Sequence, residues 1–304
     1  MTATVHARMT EPWSPKGAPA PRLWAGRVEV ITRGRPFNNR IRPNGFWSQE
    51  ALERLDLLSK ERSIRRVLLP SPRFTAEVIP AHCFEAVLDR GHYTIHIPSI
   101  SDGLGDGATL EPGDAYYLPS GDCHTLTVCN LVTGDVVAAH VGRFNLFDPE
   151  RLKNAIPSRR YESIMQASME SLRSAHKAAQ EYERIPSFFE FDPKDVVVHI
   201  ACGISGKHFA HTEDKHKKFN RKMANHLRTE YGEEAIVGDP EECRIDMPYI
   251  IARYFEMSGV PSKNISHDNV DTFSDVDPAT GEHAYWSNTR GDKARNGVIV
   301  VRNE

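Results

Sequence analysis

Gly121-Asp122-Cys123-His124-Thr125-Leu126-Thr127-Val128-Cys129-Asn130, then Leu131-Val132-Thr133-Gly134-Asp135, then Val136-Val137-Ala138-Ala139-His140-Val141-Gly142-Arg143-Phe144-Asn145, is the stretch around which the rest of the chain can be read. Thr125, Thr127 and Val128 lie in a β-prone run, Thr133-Gly134-Asp135 has turn chemistry, and Val136 to Ala139 form a second apolar run. Two such runs about a turn predict a hairpin. Cys123 opens the first strand and His140 closes the second, so antiparallel pairing carries both to one end of a sheet. A thiol beside an imidazole suits half of a metal site, or a nucleophile with its base. It equally suits a small buried thiol beside an unrelated strand-end histidine, because free cysteine commonly serves as core. Cys129, further along the apolar strand, reads as a packing thiol.

The 304 residues are enough for one large domain or two small ones. Hydrophobic content of 39% and charged content of 26% describe an ordinary globular chain. A net charge of −3 gives no electrostatic reason to expect nucleic acid or an anionic membrane as partner. No apolar run approaches the ~20 residues of a membrane span, and the first residues lack the zones of a signal peptide. Five scattered cysteines do not resemble a disulfide framework, so the expected setting is the reducing cytoplasm, with a small molecule as substrate.

Residues 1–24 are rich in proline and poor in large apolar groups, and are expected to form a disordered lead-in to a domain over 25–304. A first strand is expected at Arg27 to Thr32. Ser48 can cap a helix carrying Leu52, Leu55 and Leu58 on one face. Arg66 to Leu69 and Ala76 to Ile79 read as strands broken by Pro70 and Pro72. A long helix is expected from about Ser158 to Glu183, with Tyr161, Ile164, Met165, Leu172 and Ala175 as a packing stripe. Val196 to Ile200 and Val298 to Val301 read as strands. Phe219, Met223 and Leu227 give one further helix its buried face, and Ile250, Ile251 and Phe255 another, ended by Gly259. The fold class this implies is α+β, a single domain of mixed β-sheets packed together with helices outside; no βαβ repeat is present. Gly103-x-Gly105-x-Gly107 lacks a following helix and is no dinucleotide fingerprint.

Asp106-Gly107, the Pro112-Gly113 turn, Gly121-Asp122-Cys123 and Ala139-His140-Val141-Gly142 resemble, in order and spacing, the signature of the laccase-domain family. That family is also called polyphenol-oxidase-like or peptidoglycan editing factor, and it includes purine nucleoside phosphorylases. Ile31-Thr32-Arg33-Gly34, Cys243-Arg244-Ile245-Asp246-Met247, Thr272, Trp286 to Asp292 with Arg290, and Arg295 extend the resemblance over about residues 28 to 302. The resemblance implies the laccase-domain, cytotoxic-factor-like Cys-His fold, and a metal-binding, catalytic His-Cys-His trio whose second and third members are Cys123 and His140. His82, followed by an apolar strand, is the favoured first member. His92 and His96 are alternatives, and a rival alignment puts Phe74 there. The chain departs from the family where Trp-Arg becomes Arg143-Phe144 and a Cys-Cys pair becomes Lys207-His208. A helical insertion near 150–190 is also expected relative to the family.

Three protein ligands would leave zinc an open position for water or substrate; a thiolate with two imidazoles also suits copper. By resemblance the reaction would be of purine nucleoside phosphorylase or deaminase type. Arg143, Arg290, Arg295 and Thr272 are candidates for binding phosphate or a substrate carboxylate. The alternatives are a zinc or copper oxidoreductase, a metal-free Cys-His hydrolase or acyl-transfer enzyme of a specialised pathway, and a non-catalytic binding relative. His208, His211 and His216 suggest a second metal site, or simply a wet, charged helix start.

Overall fold

The hairpin forms as its sequence requires. In the computed structural model, which describes residues 28–35, 38, 41–42, 46–99, 105–154, 159–210 and 217–304, His124–Asn130 and Val136–Val141 pair antiparallel, with Thr125 opposite His140 and Val128 opposite Val137. The expected lead-in over 1–24, Gly103, His211 and His216 lie outside the described residues.

In chain order the strands are β1 (Val28–Arg33), β2 (Ile41–Arg42), β3 (Phe46–Trp47), β4 (Arg66–Leu68), β5 (Val78–Ile79), β6 (Phe84–Asp89), β7 (Thr94–Pro98) and β8 (Gly107–Leu110). They continue with β9 (Asp114–Ser120), β10 (His124–Asn130), β11 (Val136–Val141), β12 (Val196–Ala201), β13 (Ile236–Val237), β14 (Arg244–Ile245), β15 (Ile265–His267) and β16 (Asn296–Arg302). One six-stranded sheet runs β1-β16-β9-β4-β7-β6, and a second runs β15-β12-β10-β11-β8-β5. Both are mixed, since β4 pairs parallel with β7 and β9, while β12 pairs parallel with β15.

Strand alternation divides each strand between two layers. Val30, Tyr116, Leu118, Val298 and Val300 of the first sheet pack against Leu110, Cys129, Val136, Ala138 and Val197 of the second. The outer face of the first sheet is covered by α1 (Gln49–Arg62), which buries Leu52, Leu55 and Leu58 against Val67, Ile95 and Val301. Each such leucine contributes roughly 1.5–3 kcal/mol on burial. The outer face of the second sheet carries α3 (Ile164–Glu181), α4 (Lys217–Tyr231) and α5 (Met247–Met257), which enclose Leu126, Val128, Val198 and Ile200; α2 (Pro149–Asn154) is a short helix before them.

The helix limits follow from their caps. α3 starts later than periodicity suggests because the Ser163 side chain accepts from Gln166 N–H at 3.2 Å, closing the first turn there. Its apolar face packs on the second sheet, so this part of the 150–190 region is a core layer and not a lid. Asp246 caps α5 through Tyr249 N–H at 3.1 Å. Ser48 precedes α1 but its hydroxyl donates to the Asn38 carbonyl instead of accepting from the helix.

Candidate functional site

Cys123 and His140 have the same parity as Cys129 and Ala138, so both point into the layer between the sheets, at its open end. His124, one residue on, takes the opposite face, where burial pushes its imidazole down to about 3 and keeps it neutral. Gly142 makes the approach of the site groups possible. A Cβ there would lie 2.6 Å from Phe74 Cε1, 3.2 Å from Cys123 Sγ and 3.3 Å from His140 Cε1. Three side chains from separate segments thus converge on one point.

His140 is buried between two partners. Its Nδ1 lies 3.4 Å from Asp106 Oδ1, and Cys123 Sγ stands near the same ring, both meeting the space where a Gly142 Cβ would be. Burial alone would push the imidazole down. The Cys123 sulfur, followed by the Asp106 carboxylate, outweighs burial and raises it to about 10.

Asp106 is fully buried, and its partners are mostly backbone. Oδ1 accepts from Arg73 N–H and Phe74 N–H at 3.0 Å each, and Oδ2 from Ala76 N–H at 3.0 Å and the Thr75 hydroxyl at 3.3 Å. Phe74 and Ala76 sit at φ 57° and 56°, conformations that non-glycine residues adopt at a cost of order 1–3 kcal/mol. This strained loop wraps the carboxylate. Burial pushes Asp106 up, but the His140 interaction and the amides of Ala76 and Phe74 hold it below the ordinary carboxylate value.

The segment before Cys123 is held just as firmly. Asp122, also buried, accepts from Thr272 Oγ1 (2.9 Å), Ser287 Oγ (2.8 Å), Thr289 N–H (2.7 Å) and Thr289 Oγ1 (2.8 Å). Ser120 Oγ donates to the Cys123 carbonyl at 2.6 Å, and Asn296 Nδ2 to the Gly121 carbonyl at 3.0 Å.

The first histidine of the expected trio does not join this group. His82 is exposed, in the 3-10 turn Ala81–Cys83 that leads into β6. His92 is exposed and touches the Asp56 carbonyl, while His96 bonds Thr94 Oγ1 at 2.7 Å on the first sheet. The position against His140 is taken by Phe74, whose ring centroid is 5.3 Å from that of the imidazole. A phenyl ring has no lone pair to offer a metal. Among the described residues, no three His, Cys, Asp or Glu side chains gather so as to share an ion. The side chains present therefore do not fit the three-ligand zinc or copper centre. Phe74→His supplies the missing ligand, and histidine tolerates the left-handed conformation better than most residues. It should tighten zinc binding by about 100-fold or more relative to the natural chain, read by chelator competition. Stoichiometric zinc held as tightly by the natural chain would overturn this account.

The expected anion binders are engaged inside the protein. Arg143 is buried, with Nη2 donating to Asn220 Oδ1 at 2.6 Å. Arg290 donates to the carbonyls of Thr272, Phe273 and Tyr285 and pairs with Asp292 at 2.6 Å. Arg295 donates to the carbonyls of Asp292, Lys293 and Ala294. Thr272 gives its hydroxyl to Asp122. Thr272, Arg290 and Arg295 thus serve the loops that hold Asp122 beside Cys123, while Arg143 ties the turn after β11 to α4. His208, of the second expected metal group, pairs with Asp271 at 2.7 Å and stacks on Phe273.

Two site residues carry weak sequence signals. Asp106 stood only as half of an Asp-Gly pair, and Phe74 only as a rival alignment; no spacing rule announces a carboxylate whose partners are backbone amides.

Solved structures similar to the chain include YlmD from Geobacillus stearothermophilus, with 17% identity and a TM-score of 0.58 over 98% of this chain and 100% of that one. Hypothetical protein YfiH from Bacillus licheniformis has 12% identity and a TM-score of 0.54 over 90% and 92%. NMB0706 from Neisseria meningitidis, family-model DUF152, has 13% identity and a TM-score of 0.55 over 91% and 95%. The chain has the laccase-domain fold. No family model matches its sequence, and no curated protein matches it either. Within the laccase-domain fold, then, Cys123 and His140 stand with Asp106 behind the imidazole and Phe74 beside it.

Proposed function

We propose that the protein is a metal-independent thiol enzyme of acyl-transfer or hydrolytic type, with Cys123 as nucleophile, His140 as proton carrier and Asp106 as the group that orients His140. The single observation that carries this reading is the convergence of Cys123 Sγ and the buried His140 ring at Gly142, with Asp106 Oδ1 3.4 Å from His140 Nδ1. It is the nucleophile–base–orienter arrangement of covalent catalysis. The purine nucleoside chemistry implied by resemblance rests on a trio whose first histidine is replaced by Phe74. Adenosine or inosine with phosphate should therefore release no free base above a Cys123→Ala control, followed by chromatography.

In the proposed cycle the Cys123 thiolate attacks a substrate carbonyl carbon, forming the C–S bond. The leaving group departs with the proton held by His140, and a thioester remains. Water then attacks the thioester, His140 takes the water proton, and Cys123 leaves as thiolate with release of the acid. Asp106 keeps the imidazole in one orientation and favours its charged form. An activated ester should give a burst and an acyl adduct on Cys123 by intact mass and peptide mapping. Absence of any adduct, with the protein folded, would refute the reading.

The pH dependence follows from His140. Its value is raised in the folded protein from the ordinary 6.5 to about 10. Its charge therefore contributes stability that is fully present below about pH 6.5 and is lost as pH rises through about 10. The same loss removes the proton donor, so turnover should fall on a basic limb near pH 10. A basic limb at an ordinary histidine value would contradict the raised value of His140.

A further inference from the structure

Phe74 and Phe144 form an apolar wall on the open side of the site. Their rings meet edge to face with centroids 6.0 Å apart, and Phe74 also leans on His140. Each keeps 38% of its surface exposed, although both lie beside a buried polar centre. Phenyl rings this exposed lose the stabilisation of burial. Phe74 is also held at a strained φ of 57°. Strain kept at a site is commonly tied to what the site does.

The two rings are fixed in relation to one another by Arg159. Its Nη1 donates to the Phe74 carbonyl at 2.7 Å and its Nη2 to the Phe144 carbonyl at 3.1 Å, bridging the loop around Asp106 to the turn after β11. Further bonds from Nη2 to the carbonyls of Phe147 and Glu162 lock the guanidinium in place. Arg143, next to Phe144 in the chain, turns inward to Asn220. The wall is therefore held from the protein's interior, with Phe74 between Phe144 and the His140 ring and close to Cys123 at Gly142.

We infer that Phe74 and Phe144 are specificity-determining residues, forming a subsite for an aromatic or bulky apolar group attached to the carbonyl that Cys123 attacks. The inference rests on the proposed thiol chemistry. An apolar group seated there loses its water against both rings and presents its reactive carbon to the sulfur. It also covers the charged His140 and strengthens the electrostatics around it.

The test compares two probes with the same electrophile, iodoacetamide and N-benzyl-iodoacetamide. Each reacts by displacement of iodide by the thiolate. The ratio of benzyl to plain alkylation rates at Cys123, divided by that ratio for free cysteine, reads the subsite independently of turnover. It should be about tenfold or more in the natural chain. It should collapse towards one in Phe144→Ala and Phe74→Leu, the second keeping an apolar volume in case the first disturbs folding. Phe188→Ala, an exposed ring in the loop after α3, should leave it unchanged. A ratio near one in the natural chain, with Cys123 still alkylated and still acylated by activated esters, overturns the subsite and leaves the thiol chemistry standing. A high ratio that survives both wall substitutions also overturns it. Failure of Cys123 to react with either probe or ester removes the proposed function, and the subsite with it.

Discussion

Cys123→Ser should lower acyl transfer by about a thousandfold or more, the scale on which loss of a covalent nucleophile is felt. Serine keeps the size but offers a hydroxyl that stays protonated beside His140. Because the Cys123 sulfur is the leading influence that raises His140, the variant's imidazole should titrate well below its value of about 10, measured by NMR. Cys129 is the internal control. Its thiol is buried in the layer between the sheets and pushed up to about 12 by that burial, which makes it inert as a nucleophile. Cys129→Ser should cost stability of about 1 kcal/mol and leave turnover per folded molecule intact. The reverse pattern, with Cys123→Ser active and Cys129→Ser dead, would show that the chemistry does not reside on the hairpin.

Asp106→Asn should be the most destabilising single-atom change at the site, at about 3 kcal/mol. The carboxylate takes three backbone N–H groups and the Thr75 hydroxyl on its two oxygens. An amide must turn its NH2 towards some of those donors and leave them unsatisfied in the interior. The loop strained at Phe74 and Ala76 then loses the charge that holds it. Turnover should fall further than stability explains, by several powers of ten, because His140 loses its orienter. Urea denaturation gives the first quantity, and kinetics on the folded fraction the second. Asp106 is lowered from the usual carboxylate value of 3.8, so its contribution is present above about pH 4 and disappears as pH falls through its folded value. Asp106→Asn should accordingly flatten the acid side of the stability curve; an unchanged acid limb would argue that the loop does not depend on this charge.

The hairpin, the helices α3, α4 and α5, and the closing strand were legible in sequence because they rest on local periodicity and turn chemistry. Leu52, Leu55 and Leu58 announce a helix face whatever lies against it. That Cys123 and His140 meet at one end of a sheet was legible for the same reason, since one hairpin carries both. His82 misled because the apolar strand after it imitates a sequence context, while position at the site is decided by how the loop at 73–76 bends. That bend follows from Phe74 and Ala76 occupying left-handed conformations around Asp106, a long-range event with no periodic trace. The arginines were misread for a related reason. A guanidinium at a loop looks like an anion receptor until the carbonyls of Thr272, Phe273 and Tyr285 close around Arg290.

The pairing of β1 with β16 sets Val28 opposite Arg302, and the groups that hold Asp122 come from Thr272, Ser287 and Thr289. During synthesis Cys123 therefore leaves the ribosome long before the residues that fasten its loop. The first sheet cannot close until nearly the whole described chain is available, and such distant pairings form slowly. A nascent chain carries its thiol on an unfinished scaffold, without the strand and loop that fix the position of Cys123. A polypeptide halted before β16 should therefore react at Cys123 only as an ordinary exposed thiol, with no preference for the benzyl probe, however well its hairpin has formed.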